Sequence, residues 1–385
     1  MIKRNQILNS AVVGVLVLSL AGCGETDEFR QVPTHPVADR ASTPSKASTP
    51  EADSRAPVPG PTEPHDEVWI PAGTFVMGAD RGDPNHRPAR EVRMDGFWMD
   101  ETPVTNTQFK AFVDATGYIT TAEKPIPREV LPANIRFRVP EANLTPRSMV
   151  FIGTPRPVRL NNELQWWDLI PGADWQHPEG PGSTIKDRMD HPVVHVTYED
   201  ALAYCDWAGR ALPTEAQFEY AMRGGLESNA YTWGNEQVPD EGWQANIWQG
   251  QFPVSNSEDD GYTLTSPVRS YPANGYGLYD MSGNVWEWCR DWFDHDYYAE
   301  APIANPPGPM RYEDPGPRGR DGIDKRVIRG GSFLCSDSYC LGYMPMSRQA
   351  SDPLTAHNHT GFRTIDLTRT PPEARPRAVD PLPGE

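Results

Sequence analysis

Cys335 and Cys340 stand with four residues between them in the stretch Gly-Gly-Ser-Phe-Leu-Cys-Ser-Asp-Ser-Tyr-Cys, residues 330 to 340. Sulfur atoms at this spacing do one of three kinds of chemistry. They close a structural disulfide, they clamp a soft metal ion between two thiolates, or they stay free as reactive thiols. The residue types alone leave all three open. Two other stretches carry the oxygen-rich mixture that a hard cation takes. One is Asn246-Ile247 with the acidic loop Ser257-Glu258-Asp259-Asp260-Gly261-Tyr262. The other is Asp280-Met281-Ser282-Gly283-Asn284-Val285-Trp286-Glu287. Calcium needs carboxylates, amides and carbonyls on turning chain, and both stretches supply them. A solvated acidic loop has the same spacing, so the pattern does not decide by itself. His191 and His195 have a zinc-like separation. Pro192 and the run Val193-Val194-His195-Val196 predict a strand there, with one buried and one exposed histidine rather than a metal pair. The chain has no Walker loop, no Rossmann glycine fingerprint, no His-Glu-x-x-His and no Gly-x-Ser-x-Gly elbow.

The elements that must position these groups follow from capping signals. Thr105-x-x-Gln108 opens a helix with Phe109, Phe112 and Val113 on one face and Gly117 as its stop. Thr197-x-x-Asp200 opens a second, which turns Ala201, Tyr204, Cys205 and Ala208 inward and ends at Gly209. A third follows Pro213-Thr214, with Phe218, Tyr220 and Ala221 packing. Arg326-Val327-Ile328 reads as a strand. Cys205 on its apolar stripe is expected to be a buried core thiol. The 41 Pro and 32 Gly imply many turns and little long regular structure, whereas 12 Trp imply a substantial core. No internal repeat is evident. The expected fold is a single loop-rich α+β domain over 66–368. Acids outnumber Lys and Arg by 53 to 35, a formal charge of −18, which argues against nucleic acid as a partner.

At the N-terminus Lys3 and Arg4 precede an apolar run, Ala11 to Leu20, that is shorter than the roughly 20 residues a spanning helix needs. It ends in Leu20-Ala21-Gly22-Cys23, which resembles a bacterial lipobox. Residues 1–22 are therefore expected to be a lipoprotein signal peptide, with Cys23 lipidated. Gly24 follows, with no aspartate to suggest inner-membrane retention. Residues 23–65 read as a Pro-, Ser- and Thr-rich linker and 369–385 as a Pro-rich tail. The expected address is the bacterial cell envelope, with the membrane met only through the N-terminal lipid and the protein a monomer.

Several longer stretches resemble the formylglycine-generating enzyme (sulfatase-modifying factor) family. They are Trp69-Ile70-Pro71-Ala72-Gly73-Thr74-Phe75-Val76-Met77-Gly78, "PVTNTQF" at 103–109, "HPVVHVTYEDALAYCDWAGRALPTEAQFEYAMRGG" at 191–225, "NGYGLYDMSGNVWEWCRDWF" at 274–293, and "RVIRGGSF" with "GFR" at 361–363. "GADWQHPEGPGSTI" at 172–185 and the Cys-x4-Cys narrow the likeness to the catalytic branch. The resemblance implies a domain of the formylglycine-generating enzyme or C-type-lectin-like type. It implies an O2-dependent oxidase that converts the cysteine of a Cys-x-Pro-x-Arg motif in a sulfatase polypeptide to Cα-formylglycine. It assigns Cu(I) to Cys335 and Cys340, the substrate and oxygen pocket to Ser332 and Tyr339, and its wall to Trp286. It assigns one calcium ion to Asn246, Ile247, Asp260 and Tyr262, and a second to Asp280, Gly283, Val285 and Glu287. The sequence departs from the family after the second cysteine, where Leu341 to Arg348 replaces an Arg-rich segment. It departs again at His359, where asparagine is usual. Pro345 and Thr364 stand where some members have structural cysteines, so Cys205 and Cys289 are expected to be free. Two alternatives use the same fold: a non-catalytic envelope binding or assembly lipoprotein, and an oxidase of another peptide.

Overall fold

The computed structural model describes residue 60 and residues 66–131, 136–226, 228–309 and 324–372. The expected signal peptide, Cys23, almost all of the linker and the end of the tail lie outside the described residues.

Strands β1 (Glu67–Ile70), β2 (Gly73–Met77), β3 (Arg90–Met94) and β4 (Phe97–Asp100) precede the first helix, α1 (Asn106–Thr116). Strands β5 (Arg147–Phe151) and β6 (Trp167–Pro171) form a hairpin, and helices α2 (Tyr198–Ala208) and α3 (Glu215–Arg223) follow. The short pair β7 (Gly250–Gln251) and β8 (Ser255–Asn256) leads to β9 (Trp286–Trp292), the one-turn α4 (Tyr297–Glu300) and β10 (Arg326–Arg329). Strands β11 (Gln349–Ser351), β12 (Thr360–Gly361) and β13 (Ile365–Asp366) close the chain. A three-stranded sheet has the order β1-β4-β13 and a four-stranded sheet the order β11-β10-β9-β12, beside three two-stranded ribbons.

The three main helices start where their caps require. Thr105, Thr197 and Thr214 each accept a hydrogen bond from the backbone three residues on, while Gln108, Asp200 and Gln217 answer back to the cap backbone. Each helix ends on a left-handed glycine, Gly117, Gly209 or Gly224. Phe109 and Phe112 pack with Trp175, Tyr204 and Phe362, as the helical spacing predicts. Arg326–Arg329 is a strand. The run Val193 to Val196 is not. It is buried, but His195 has φ 59° and no ladder forms; Val193 N–H donates to the Val104 carbonyl and His195 N–H to the His357 carbonyl, at 2.9 Å each, and a single bridge joins the preceding Pro192 to Thr105. The β-branched residues are there because the segment crosses the core between α1 and β9, and core burial selects the same residue types as a strand.

Behind the sheet lies a buried ion network. Glu215 takes two bonds from Arg348, at 2.7 Å each, and Glu219 is paired with Arg223 at 2.6 Å and with Arg329. Arg329 also donates to the carbonyls of Pro345 and Met346. Burial alone raises the Glu219 carboxyl, but Arg329 and Arg223 outweigh it and hold it below the usual carboxylate range. This network ties β10 to the segment that follows Cys340.

Candidate active site

The loop that carries the cysteines begins at the end of β10, where Gly330 and Gly331 adopt φ 91° and 74°. A side chain at Gly331 would come within 2.5 Å of the Tyr343 backbone nitrogen, so only glycine lets the two arms of the loop approach. Beyond the turn, Cys335 N–H donates to the Ser332 carbonyl at 2.9 Å and Cys340 N–H to the Ser336 carbonyl at 2.9 Å. Ser332 is fully buried, and its hydroxyl accepts from the Leu334 N–H at 3.3 Å. These turns bring the two Cα atoms to 4.7 Å, and the sulfurs are joined as a disulfide. Cys335 is buried, whereas Cys340 lies half-buried at the rim. Trp248 N–H donates to the Cys335 carbonyl at 3.0 Å, anchoring the loop from a distant segment.

Aromatic side chains wall the loop on three sides. A methyl group at Gly342 would lie 2.4 Å from the Trp286 ring and 3.0 Å from Cys335 Sγ, so indole and sulfur close on a bare glycine. Tyr339 stacks on Phe252 at 4.4 Å between centroids and meets the edge of Trp166 at 5.6 Å. On the opposite flank Tyr231 stacks between Trp233, at 5.2 Å, and Tyr343, at 6.1 Å. Cys340, Met344, Tyr231 and Trp233 form a half-buried rim over the core cluster that contains Cys335, Trp286 and Tyr343. Replacing Gly342 by alanine is expected to destabilise the fold by about 1–3 kcal/mol, since Trp286 has to move. Equilibrium denaturation would check this, and an unchanged midpoint would show that the indole gives way freely.

All the residues assigned to the pocket by resemblance thus surround one loop. Opened by reduction, Cys335 and Cys340 present two soft donors already within bonding reach, which fits a low-coordinate soft ion. Cys205 and Cys289 are free and buried, and burial pushes both thiols up, so neither is a nucleophile at neutral pH.

The first cation set also converges. Asp260 accepts the backbone N–H groups of Ile247 and Tyr262 at 2.9 and 3.0 Å. The Asn246 amide nitrogen donates to the Leu264 carbonyl, while its side-chain oxygen is buried with no partner. The orphaned Asn246 oxygen is what a hard cation would satisfy, whereas the Ile247 carbonyl already accepts from Gln249 and the Tyr262 carbonyl from Asn256 at 3.4 Å. The second set differs. Asp280 accepts from Arg269 N–H at 2.8 Å and from Asn284 at 3.3 Å. Both oxygens of Glu287 are held by Arg363, at 2.8 and 2.9 Å. That guanidinium already matches one of the two charges, so this set offers a cation less. Among the described residues no group of three or more His, Cys, Asp or Glu side chains is arranged around one point as a metal site. His191 and His195 are separated in role. His195 is fully buried and bonded at both nitrogens, to Ser148 at 2.7 Å and Pro178 at 2.8 Å, and burial lowers it to about 4. His191 is half-buried rather than exposed, and bonds Thr265 at 2.9 Å.

Sequence reading missed Trp166, Phe252, Tyr231 and Trp233, which sit in no motif; their aromatic density was the only available signal. It also missed the burial of His357 beside His359. A cavity of about 320 Å³ lies elsewhere, lined by residues such as Trp69, Phe97, Arg290 and Arg369, and includes none of the residues above.

Comparison with known proteins places this geometry in context. Residues 53–367 match the sulfatase-modifying factor enzyme 1-like domain. The chain is 46% identical over 301 residues to a formylglycine-generating enzyme of Thermomonospora curvata, covering 77% of this chain and 91% of that protein. It is 35% identical over 315 residues to the inactive C-alpha-formylglycine-generating enzyme 2 of Mus musculus, covering 80% and 87%. Among solved structures, PvdO from Pseudomonas aeruginosa superposes with a TM-score of 0.52 at 22% identity, over 81% of this chain and 99% of that one, and so shares the fold.

Proposed function

This chain belongs to the formylglycine-generating enzyme (sulfatase-modifying factor) family, and from that premise we propose that it is an oxidoreductase converting a cysteine of a sulfatase polypeptide, in a Cys-x-Pro-x-Arg motif, to Cα-formylglycine. The observation that carries the reading is the pairing of Cys335 with Cys340 at the rim of an aromatic-walled loop, one sulfur inside and one within reach of a partner. Family membership alone does not suffice, because the relatives include a protein named inactive.

Reduced, Cys335 and Cys340 would hold Cu(I), and the bound ion would supply a soft site for the substrate thiolate and dioxygen. The chain's own residues do the rest. Cys340, half-buried at the rim, would meet the incoming polypeptide, and Trp286 packs in the core cluster around Cys335. Turning a thiol into an aldehyde and hydrogen sulfide removes two electrons, whereas reducing dioxygen to water takes four. A thiol reductant must supply the other two, and the same reductant opens the Cys335–Cys340 disulfide. The alternative of a non-catalytic envelope module has the altered segment after Cys340 in its favour. Against it stands the network that holds that segment through Arg329 to the Pro345 and Met346 carbonyls. The test is mass spectrometry of a Cys-x-Pro-x-Arg peptide incubated with the purified, reduced chain, Cu(I) and oxygen. Appearance of the aldehyde supports the oxidase; an unchanged peptide refutes this substrate.

We rest the calcium proposal on Asn246, Ile247, Asp260 and Tyr262; Asp280, Gly283, Val285 and Glu287 would hold a second ion only beside Arg363. Asp260→Asn is expected to lower the melting temperature in calcium and to abolish the further fall that a chelator causes in the unaltered chain. Equal melting of both chains with and without chelator would refute the site. The tether through Cys23 at the bacterial envelope completes the proposal, and palmitate labelling lost in Cys23→Ser would test it.

A further inference from the structure

His357 and His359, on either side of Asn358, are both buried, at 1% and 7% exposure. Their ring centroids are 5.3 Å apart at 78°. Neither ring nitrogen of His357 has a hydrogen-bond partner, and Nδ1 of His359 has none. The Thr355 backbone is near His357 but closes no such bond. A buried imidazole left unpaired keeps its full desolvation penalty, and two side by side call for an explanation. Neighbouring His195 shows the contrast, because both of its nitrogens are satisfied.

The backbone under the two rings is held firmly. Asn358 N–H donates to Met149 at 3.0 Å, His195 N–H to the His357 carbonyl at 2.9 Å, and Trp286 N–H to the His359 carbonyl at 2.8 Å. Trp167 faces both rings, at 5.6 and 4.7 Å. Burial keeps both imidazoles neutral at working pH, His357 at about 3 and His359 well below its ordinary value. Lys325 also lowers His357, so the setting of that ring already includes a cation.

We propose that His357 and His359 form a binding site for a soft monovalent cation, Cu(I), separate from the cysteine pair. Imidazole nitrogen suits copper, and two neutral donors suffice for a d10 ion content with two ligands. The two imidazoles bring no negative charge of their own, which disfavours a divalent ion, whose double charge they would leave uncompensated. Trp286, whose backbone N–H donates to the His359 carbonyl, belongs to the same core cluster as Cys335. The proposal needs no catalytic activity from the cysteines.

The test uses the full chain with Cys335→Ser and Cys340→Ser together, titrated anaerobically with Cu(I) against a chromophoric chelator. One copper per chain is expected to remain, with nitrogen and no sulfur in its X-ray absorption spectrum. Adding His357→Leu and His359→Leu is expected to remove it, while the remaining cysteines stay constant across the series. Should the leucine pair fail to fold, His359→Asn alone is expected to remove the copper. No copper on the cysteine-free pair variant overturns the site, as does copper that persists without the histidines. In that case buried water satisfies the rings.

Discussion

Replacing Cys335 by serine is expected to reduce peptide conversion at least about a thousandfold, and Cys340→Ser is expected to do the same. The two sulfurs act as a unit, so the double variant should be no worse than either single one. A hydroxyl in place of either thiolate removes half of a two-donor set and cannot take part in thiol exchange. The structure makes a trivial explanation testable. Losing the crosslink across so short a loop costs about 2 kcal/mol at most, and the unaltered chain loses it too under the reducing conditions of the assay. Melting curves in reductant should therefore coincide between variant and unaltered chain. Aldehyde formation that survives in either single variant would sink the oxidase mechanism.

Glu219→Ala is expected to give the largest loss of stability, about 3–5 kcal/mol. The carboxylate is wholly buried and serves Arg223, Arg329 and the Gly78 N–H at 2.9 Å. Its removal strands two guanidiniums away from water, and Arg329 has only carbonyls and the more distant Glu215, at 3.5 Å, to fall back on. Because Arg329 also holds the segment after Cys340, the variant should lose conversion at temperatures where it is still largely folded. Urea unfolding of the two chains decides the point. A change below about 1 kcal/mol would mean that water reaches the network and screens it.

Between Leu341 and Arg348 the residue string and the folded chain point in different directions. Read as a string, it lacks the family's arginines and casts doubt on the site. In the fold, Arg348 is spent on Glu215, Gly342 makes room for Trp286 and Cys335, and Tyr343 joins the Tyr231–Trp233 stack. His359 is the converse. It reads as one substitution in a motif, yet its meaning depends on Trp167, which lies far away in sequence.

The sequence by itself determined the helices and their ends. A Thr cap and its Gln or Asp partner lie three residues apart, and a left-handed glycine stop needs only its own φ, so the interactions are local. It also determined the cysteine pair, the glycine turn before it and, through long matching stretches, the family. The tertiary structure decided the rest. Val193 to Val196 carries strand residues, but among the described residues it forms no ladder with a neighbouring strand. Cys335 is buried and Cys340 reaches the rim because Trp248 and Trp286 arrive from remote segments. Glu287 is spoken for by Arg363, from the "GFR" stretch. Burial, charge matching and stacking are sums over residues distant in the chain, and no window of sequence contains those sums.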